Sequence, residues 1–245
     1  MFNIINITEC DSTNAYLSRE IINSPLPEWT VISTSFQTKG RGQLTNVWES
    51  QKGENILCSI LLRPEQLPIK SQFLISQAIS VAIVEVLNSY ADGFKIQWPN
   101  DIYYKEKKIA GILIENTLSS KGLSTCIIGL GLNVNQSQFY SDAPNPISLS
   151  NIISKNTNPQ TLLKQILDTF ASIYQWVYSD VERLREQYFN LLLFNGQMRK
   201  YSDANGEFLG KIIDVENDGH LIIEDQGGAK RRYAFKEVKF LIPNS

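Results

Sequence analysis

Cysteine is scarce in this 245-residue chain: Cys10, Cys58 and Cys126 are the whole set, scattered and odd in number. No CxxC pair occurs, so neither a disulfide framework nor a zinc-ribbon spacing is expected, and a reducing, cytoplasmic setting fits best. Histidine is scarcer still. His220 is the only one, in the polar turn Asn217-Asp218-Gly219-His220, where a surface position is expected and histidine chemistry is not. No charge sign dominates: 23 Lys and Arg against 25 Asp and Glu give a net charge of −2. The whole chain therefore carries no field that would draw it to nucleic acid or an anionic membrane. No apolar run approaches the ~20 residues that span a bilayer. The start, Met1-Phe2-Asn3-Ile4, lacks the charged segment and long apolar stretch of a signal peptide. Nothing repeats internally and no segment is of low complexity, so solenoid and linker-type architectures are excluded.

What is present suits a globular protein, with 42% hydrophobic and 20% charged residues. The length allows one good-sized core with a small satellite. Period-2 and buried runs predict strands over 3–7, 29–36, 55–63, 94–98, 102–104, 108–115 and 125–134. Helical spacing predicts a helix capped by Asp11 or Ser12, an amphipathic helix over 71–88, a long helix opened by Asn158-Pro159 and reaching about Tyr178, and another over 181–193. Residues 141–158 read as a loop with one helical turn. Hairpin-linked strands around one long helix imply an α+β fold with a mixed, mainly antiparallel sheet. Past Phe194-Asn195-Gly196 the texture changes to short strands split by Asn205-Gly206, Asn217-Asp218-Gly219 and Gln226-Gly227-Gly228, which are hairpin signals. The expected division is residues 1–194 and a small β-barrel or roll at 195–245.

Four segments are candidates for chemistry. Gly40-Arg41-Gly42 lies in a polar loop that runs from Gln37 to Trp48. Glycines let the backbone approach a ligand and leave N–H groups for anionic oxygens, while the arginine pairs bidentately with carboxylate or phosphate. The alternative is a solvated loop. Lys108 opens the apolar strand Lys108-Ile109-Ala110-Gly111-Ile112-Leu113; turned inward it needs an anion, turned outward it belongs to a solvated hairpin tip. Asn100 and Asp101 either shape the turn after Pro99 or hold a metal or ribose. Gly129-Leu130-Gly131-Leu132-Asn133 puts two glycines and an amide in a buried strand, either for a close ligand or as a kinked strand. Asp11-Ser12-Thr13-Asn14, taken alone, is a helix cap.

Taken in order, these segments resemble the biotin–protein ligase family. The resemblance rests on Asp-Ser-Thr-Asn, the Gly-Arg-Gly loop with Gln37 and Trp48, Trp-Pro-Asn-Asp with Lys-x-Ala-Gly-Ile-Leu-x-Glu, and Gly-x-Gly-x-Asn-Val, all within residues 9–135. It implies a class II synthetase-like catalytic domain with an SH3-like C-terminal barrel. It also implies formation of biotinyl-5′-adenylate from biotin and MgATP, and transfer of biotin to a lysine of a biotin carboxyl carrier protein or carboxylase biotinyl domain. By the same resemblance, biotin is bound by Ser12, Thr13, Asn14, Gln37, Gly40, Arg41, Gly42, Gln43, Lys108, Gly111, Ile112, Leu113 and Gly131. ATP is met by Arg41, Trp48, Asn100, Lys108 and Asn133. Lys108 and Arg41 carry catalysis; the metal ligands are not implied. A homodimer is compatible.

There are departures. Gln43 stands where many members have arginine, and looser retention of the adenylate is the expectation it raises; Gln97 stands where lysine often precedes Trp-Pro-Asn-Asp, so that charge is absent too. With the motif beginning by Asp11, no winged-helix DNA-binding domain is expected. The alternatives are a lipoate or octanoate ligase or transferase of the same fold, and a non-catalytic biotin-binding protein.

Overall fold

Seven strands rich in β-branched and leucine side chains form the main sheet: β1 (Asn3–Ile7), β2 (Thr30–Thr34), β3 (Ile56–Leu62), β4 (Phe94–Gln97), β5 (Asp101–Tyr104), β6 (Lys107–Ser119) and β7 (Gly122–Leu132). The structure is a computed structural model and describes residues 2–42, 46–119, 122–140 and 145–241. The strand order is β1-β2-β3-β7-β6-β5-β4. Only β1 and β2 run parallel; every other pairing is antiparallel. All seven residues of β3 are buried, because helices cover both faces of the sheet.

The two faces differ. On one, α1 (Thr13–Asn23) seats Leu17 against Ile32, Leu61 and Ile127. On the other, α2 (Phe73–Asn88) packs with α4 (Pro159–Tyr174) and α6 (Val181–Leu191) over the main core. Sequence spacing predicts α2 to be amphipathic. In the structure it is buried nearly all round, from Leu74 to Val84 without interruption, since sheet and helices enclose it together. Ile69–Asn88 is long and apolar enough to cross a membrane on composition, but 67% of that window is buried inside the fold, as a core helix requires.

Caps set the remaining boundaries. Asn158 accepts a hydrogen bond from the Thr161 N–H at 2.9 Å and Pro159 follows, starting α4. The long helix expected to reach Tyr178 breaks after Tyr174 into the short α5 (Trp176–Ser179), and Asp180 then caps α6. Leu149–Ile153 is the expected helical turn, α3, opened by a capping box on Ser148 and Asn151.

The C-terminal strands β8 (Arg199–Asp203), β9 (Gly206–Val215), β10 (Leu221–Asp225), β11 (Lys230–Tyr233) and β12 (Lys239–Phe240) form a five-stranded antiparallel sheet ordered β11-β10-β9-β8-β12. Its turns fall at the predicted Asn-Gly and Gly-Gly positions. Phe194 and Gly196 take positive φ at the crossing from α6. Trp98 then ties the two sheets, donating Nε1 to the Gly219 carbonyl at 3.0 Å and meeting Phe235 edge-on. Tyr201, Ile212, Leu221 and Ile223 join the same continuous core as α2.

Candidate active site

The α1 face of the sheet carries a hollow made by missing side chains. Register pairs Gly111 of β6 with Gly131 of β7, and Gly131 with Leu57 of β3. Alternation puts Ser59, Gly129 and Leu113 in the next row of the same face. The Trp48 indole lies in this hollow. A Cβ on Gly131 would stand 2.4 Å from Trp48 Cε2, and one on Gly111 3.0 Å from its Cζ3. Glycine is required at both positions by this close approach. Trp48 Nε1 is buried and has no hydrogen-bond partner, so the indole's one polar atom faces the hollow unsatisfied.

A β-bulge aims Lys108 into the site. Ile102 pairs with Ala110, but its neighbour Tyr103 pairs with Lys108, skipping Ile109. In a regular strand Lys108 and Gly111, three residues apart, would point to opposite faces; with the bulge absorbing Ile109, Lys108 Cε comes within 3.5 Å of where a Gly111 Cβ would be. Ile109 and Ala110 turn into the core instead. Lys108 Nζ lies 2.5 Å from Asp101 Oδ2 and 5.9 Å from the Trp48 ring centre. The inward reading of Lys108 therefore holds, and its anion in the free chain is Asp101.

The Gly-Arg-Gly segment is one arm of a hairpin. Arg41 bridges Val47, Trp48 N–H donates to Gly40 O at 3.0 Å, and Gly42 N–H donates to Asn46 O at 2.7 Å. Free glycine N–H groups are expected from the sequence; Gly42's is spent within the hairpin. Gly40 is demanded by packing, as its Cβ would meet Trp48 O at 2.4 Å. Arg41 Nη2 reaches both carboxylate oxygens of Glu115 at 3.2 Å. Gln43 lies outside the described residues.

Glu115 also accepts from Asn14 Nδ2 at 2.7 Å, which opens a polar chain. Asn14 Oδ1 takes a hydrogen bond from Ser59 Oγ; Ser59 Oγ lies 2.7 Å from Thr13 Oγ1; and Gln37 Oε1 accepts from Thr13 N–H at 2.8 Å. Ser59 is fully buried and escaped the sequence reading, because a lone serine in an apolar strand carries no motif. Its register opposite Gly129 is what brings it to the site. Ser12 is buried at the start of α1 and makes no side-chain cap. Asp11 instead receives the Ser12 N–H and a two-pronged Arg19. The Arg19 guanidinium holds the Asp11 carboxyl well below the usual carboxylate range.

Other expected residues divide. Leu113 lies on the site face, but Ile112 packs into the core with α2, so the expectation that Ile112 meets biotin is corrected by strand alternation. Asn100 spends Nδ2 on the Ile112 carbonyl at 2.6 Å, in a buried setting. Asn133 donates Nδ2 to Ile147 O at 3.1 Å and leaves its buried Oδ1 unpartnered. Glu216, Asp218 and His220 cluster elsewhere, on the β9–β10 turn. Arg232 binds both of those carboxylates, which makes this an ion-pair network.

Two cations, Lys108 and Arg41, thus lie beside a slot floored by glycine, each held by a carboxylate. Residues 7–133 match the biotin/lipoate A/B protein ligase family. The bifunctional ligase/repressor BirA of Bacillus spizizenii is 32% identical over 232 residues, covering 91% of this chain and 70% of that one. The biotin–[acetyl-CoA-carboxylase] ligase of Mycobacterium tuberculosis is 25% identical, covering 91% and 83%. The biotin protein ligase of Aquifex aeolicus, solved in complex with biotin and ATP, superposes with a TM-score of 0.80 at 25% identity, covering 98% of both chains. The chain belongs to the biotin/lipoate A/B protein ligase family.

Proposed function

We propose that this chain is a biotin–protein ligase: it activates biotin with ATP to biotinyl-5′-adenylate and transfers the biotinyl group to a lysine of a biotin-dependent carboxylase. The carrying observation is the paired-glycine hollow flanked by Lys108 and Arg41, in a fold shared with a ligase solved with biotin and ATP. Biotin's carboxylate oxygen attacks the α-phosphorus, pyrophosphate leaves, and the acceptor amine later attacks the acyl carbon, releasing AMP. Both reactants of the first step are anions, so fixed positive charge must bring them together. Lys108 lies between them and Arg41 closes over them, each exchanging its resting carboxylate for a substrate oxygen. The chain of Thr13, Asn14, Ser59 and Gln37 offers the donors and acceptors for the ureido ring, with Ser12 beside it. Trp48 is the wall of the slot.

Mg2+ suits the donor set, since Asn133 Oδ1 is a buried oxygen with no partner; together with Asp101 it would hold a phosphate-bound ion that neutralises phosphate charge. The acceptor is a carboxyl carrier protein or biotinyl domain, residues 195–245 form a C-terminal β unit that shares the core of residues 1–194, and the setting is cytoplasmic, with neither nucleic acid nor membrane as a partner. Incubation with biotin, MgATP and an apo carrier domain, followed by mass measurement, tests the function. A mass gain of one biotinyl group is expected. ATP–pyrophosphate exchange stimulated by lipoate but not by biotin would overturn it, and biotin binding without turnover would leave only a binding protein.

A further inference from the structure

A groove of about 700 Å³ lies where the β5–β6 turn meets the linker into the C-terminal sheet. Its floor is apolar, with Tyr104, Leu193 and Phe194. Its walls carry Lys95, Lys105, Lys107 and Arg199 against the single carboxylate of Glu106. This concentration is set in a chain whose net charge is −2. Among the described residues, none of the four cations takes part in an ion pair. Lys95 donates to the Asn190 carbonyl at 3.2 Å, and Arg199 and Lys105 lie over Phe194 and Tyr104 at 4.2 and 5.5 Å. Their charges are thus positioned by carbonyl and ring contacts while remaining available to an anion.

The groove shares a wall with the active site. Ile147, which lines it, donates its N–H to the Lys108 carbonyl at 2.9 Å, and Lys108 N–H donates to Asn145 O. Lys107, on the rim, precedes Lys108 by one residue on β6, and alternation sends the two side chains to different sides. Whatever sits in the groove therefore lies beside the strand that carries Lys108.

We propose that this groove is the docking surface for the acceptor protein, engaging an acidic, partly apolar face of the carboxylase carrier domain and so aligning its target lysine with the site at Lys108. The inference rests on the ligase reading and names where that reaction's protein substrate is recognised. An apolar floor within a basic rim is the complement of such a face: the floor supplies contact area, and the rim charges steer encounter.

The experiment compares the wild-type chain with the Lys105→Glu/Lys107→Glu and Arg199→Glu variants, all exposed or half-exposed side chains outside the substrate hollow. Biotin-dependent ATP–pyrophosphate exchange reads the first half-reaction. Transfer to an apo acetyl-CoA carboxylase biotinyl domain reads the second, and hydroxylamine serves as a small acceptor. Exchange and hydroxylamine trapping are expected to stay within about twofold, while KM for the biotinyl domain rises about tenfold or more, equivalent to about 1.4 kcal/mol. Its dependence on salt should flatten in the variants, because charge steering is screened by ions. Normal exchange with an unchanged KM for the domain overturns the docking assignment and leaves the ligase function standing. A rise in KM for ATP instead makes the groove a nucleotide site and also overturns it. Absence of biotin-dependent exchange in the wild type removes the ligase reading, and the docking assignment falls with it.

Discussion

At the scale of single residues, the site is decided by volume and charge. Gly131→Ala puts a methyl carbon where Trp48 Cε2 now lies, so the indole must leave the hollow. We expect KM for biotin to rise about tenfold or more, since a misplacement of 1 Å in a binding wall costs on that order or more; exchange kinetics across biotin concentrations check this. Lys108→Ala removes the ammonium that we propose bridges the two anionic substrates. Adenylate formation is expected to fall about 100-fold or more while biotin affinity changes far less, as measured by single-turnover pyrophosphate release alongside calorimetry. An unchanged release rate would sink the role. The thiols lie at the opposite extreme of reactivity. Burial pushes Cys58 and Cys126 up to about 12, so both stay protonated at pH 8 and unreactive. At most one thiol should titrate with a disulfide reagent in the native chain, and all three after denaturation.

Among the elements, β6 shows both what was legible and what was not. Its apolar run and the Lys-x-Ala-Gly-Ile-Leu-x-Glu pattern identify a strand of the site. Simple alternation counted from Lys108 would assign the wrong set of residues to the site face, because the skipped Ile109 changes the parity. A bulge is a property of pairing between two strands, and no local pattern announces it. Deleting Ile109 would restore regular pairing with Lys108 still on the face of Gly111, but it would remove a fully buried side chain from the core under α2. The shortened strand should therefore melt at lower temperature than Lys108→Ala does while keeping more exchange activity, as thermal melts and exchange assays would show. The partners of the cations were hidden for a similar reason: Glu115 meets Arg41 across 74 positions of chain. Loop closure of that length is visible only in the folded molecule. The Gly-Arg-Gly segment, the two strand glycines and the helix caps were legible because each depends on local backbone demands. Periodicity does not reveal the character of α2, because it reports one apolar face, while enclosure by sheet and helices needs all of them. Ile79, fully buried at its centre, should cost about 2–5 kcal/mol when cut to alanine, readable as a lower denaturation midpoint with an unchanged slope.

Across the whole molecule, the C-terminal sheet adds its own response to acid. Tyr233 O–H, with Arg231, lowers Asp203, and the Ala229 N–H, again with Arg231, lowers Asp225. A carboxylate lowered in the folded state contributes stability that is fully present above its unfolded value of about 3.9 and lost as pH falls through the folded value. Asp203→Asn should therefore be less stable than wild type at pH 7, with the gap narrowing as pH drops below about 4. Thermal melts from pH 2 to 7 check this, and a gap independent of pH would refute it. The join between the sheets has a broader consequence. Trp98 and the aromatic and aliphatic residues of the five-stranded sheet complete the apolar layer around α2, so the chain has a common interior with no seam. A cut at the linker would not release two tidy modules: the larger fragment would be left with an oily wound that water cannot dress, and it should precipitate or recruit its missing half when the two are mixed.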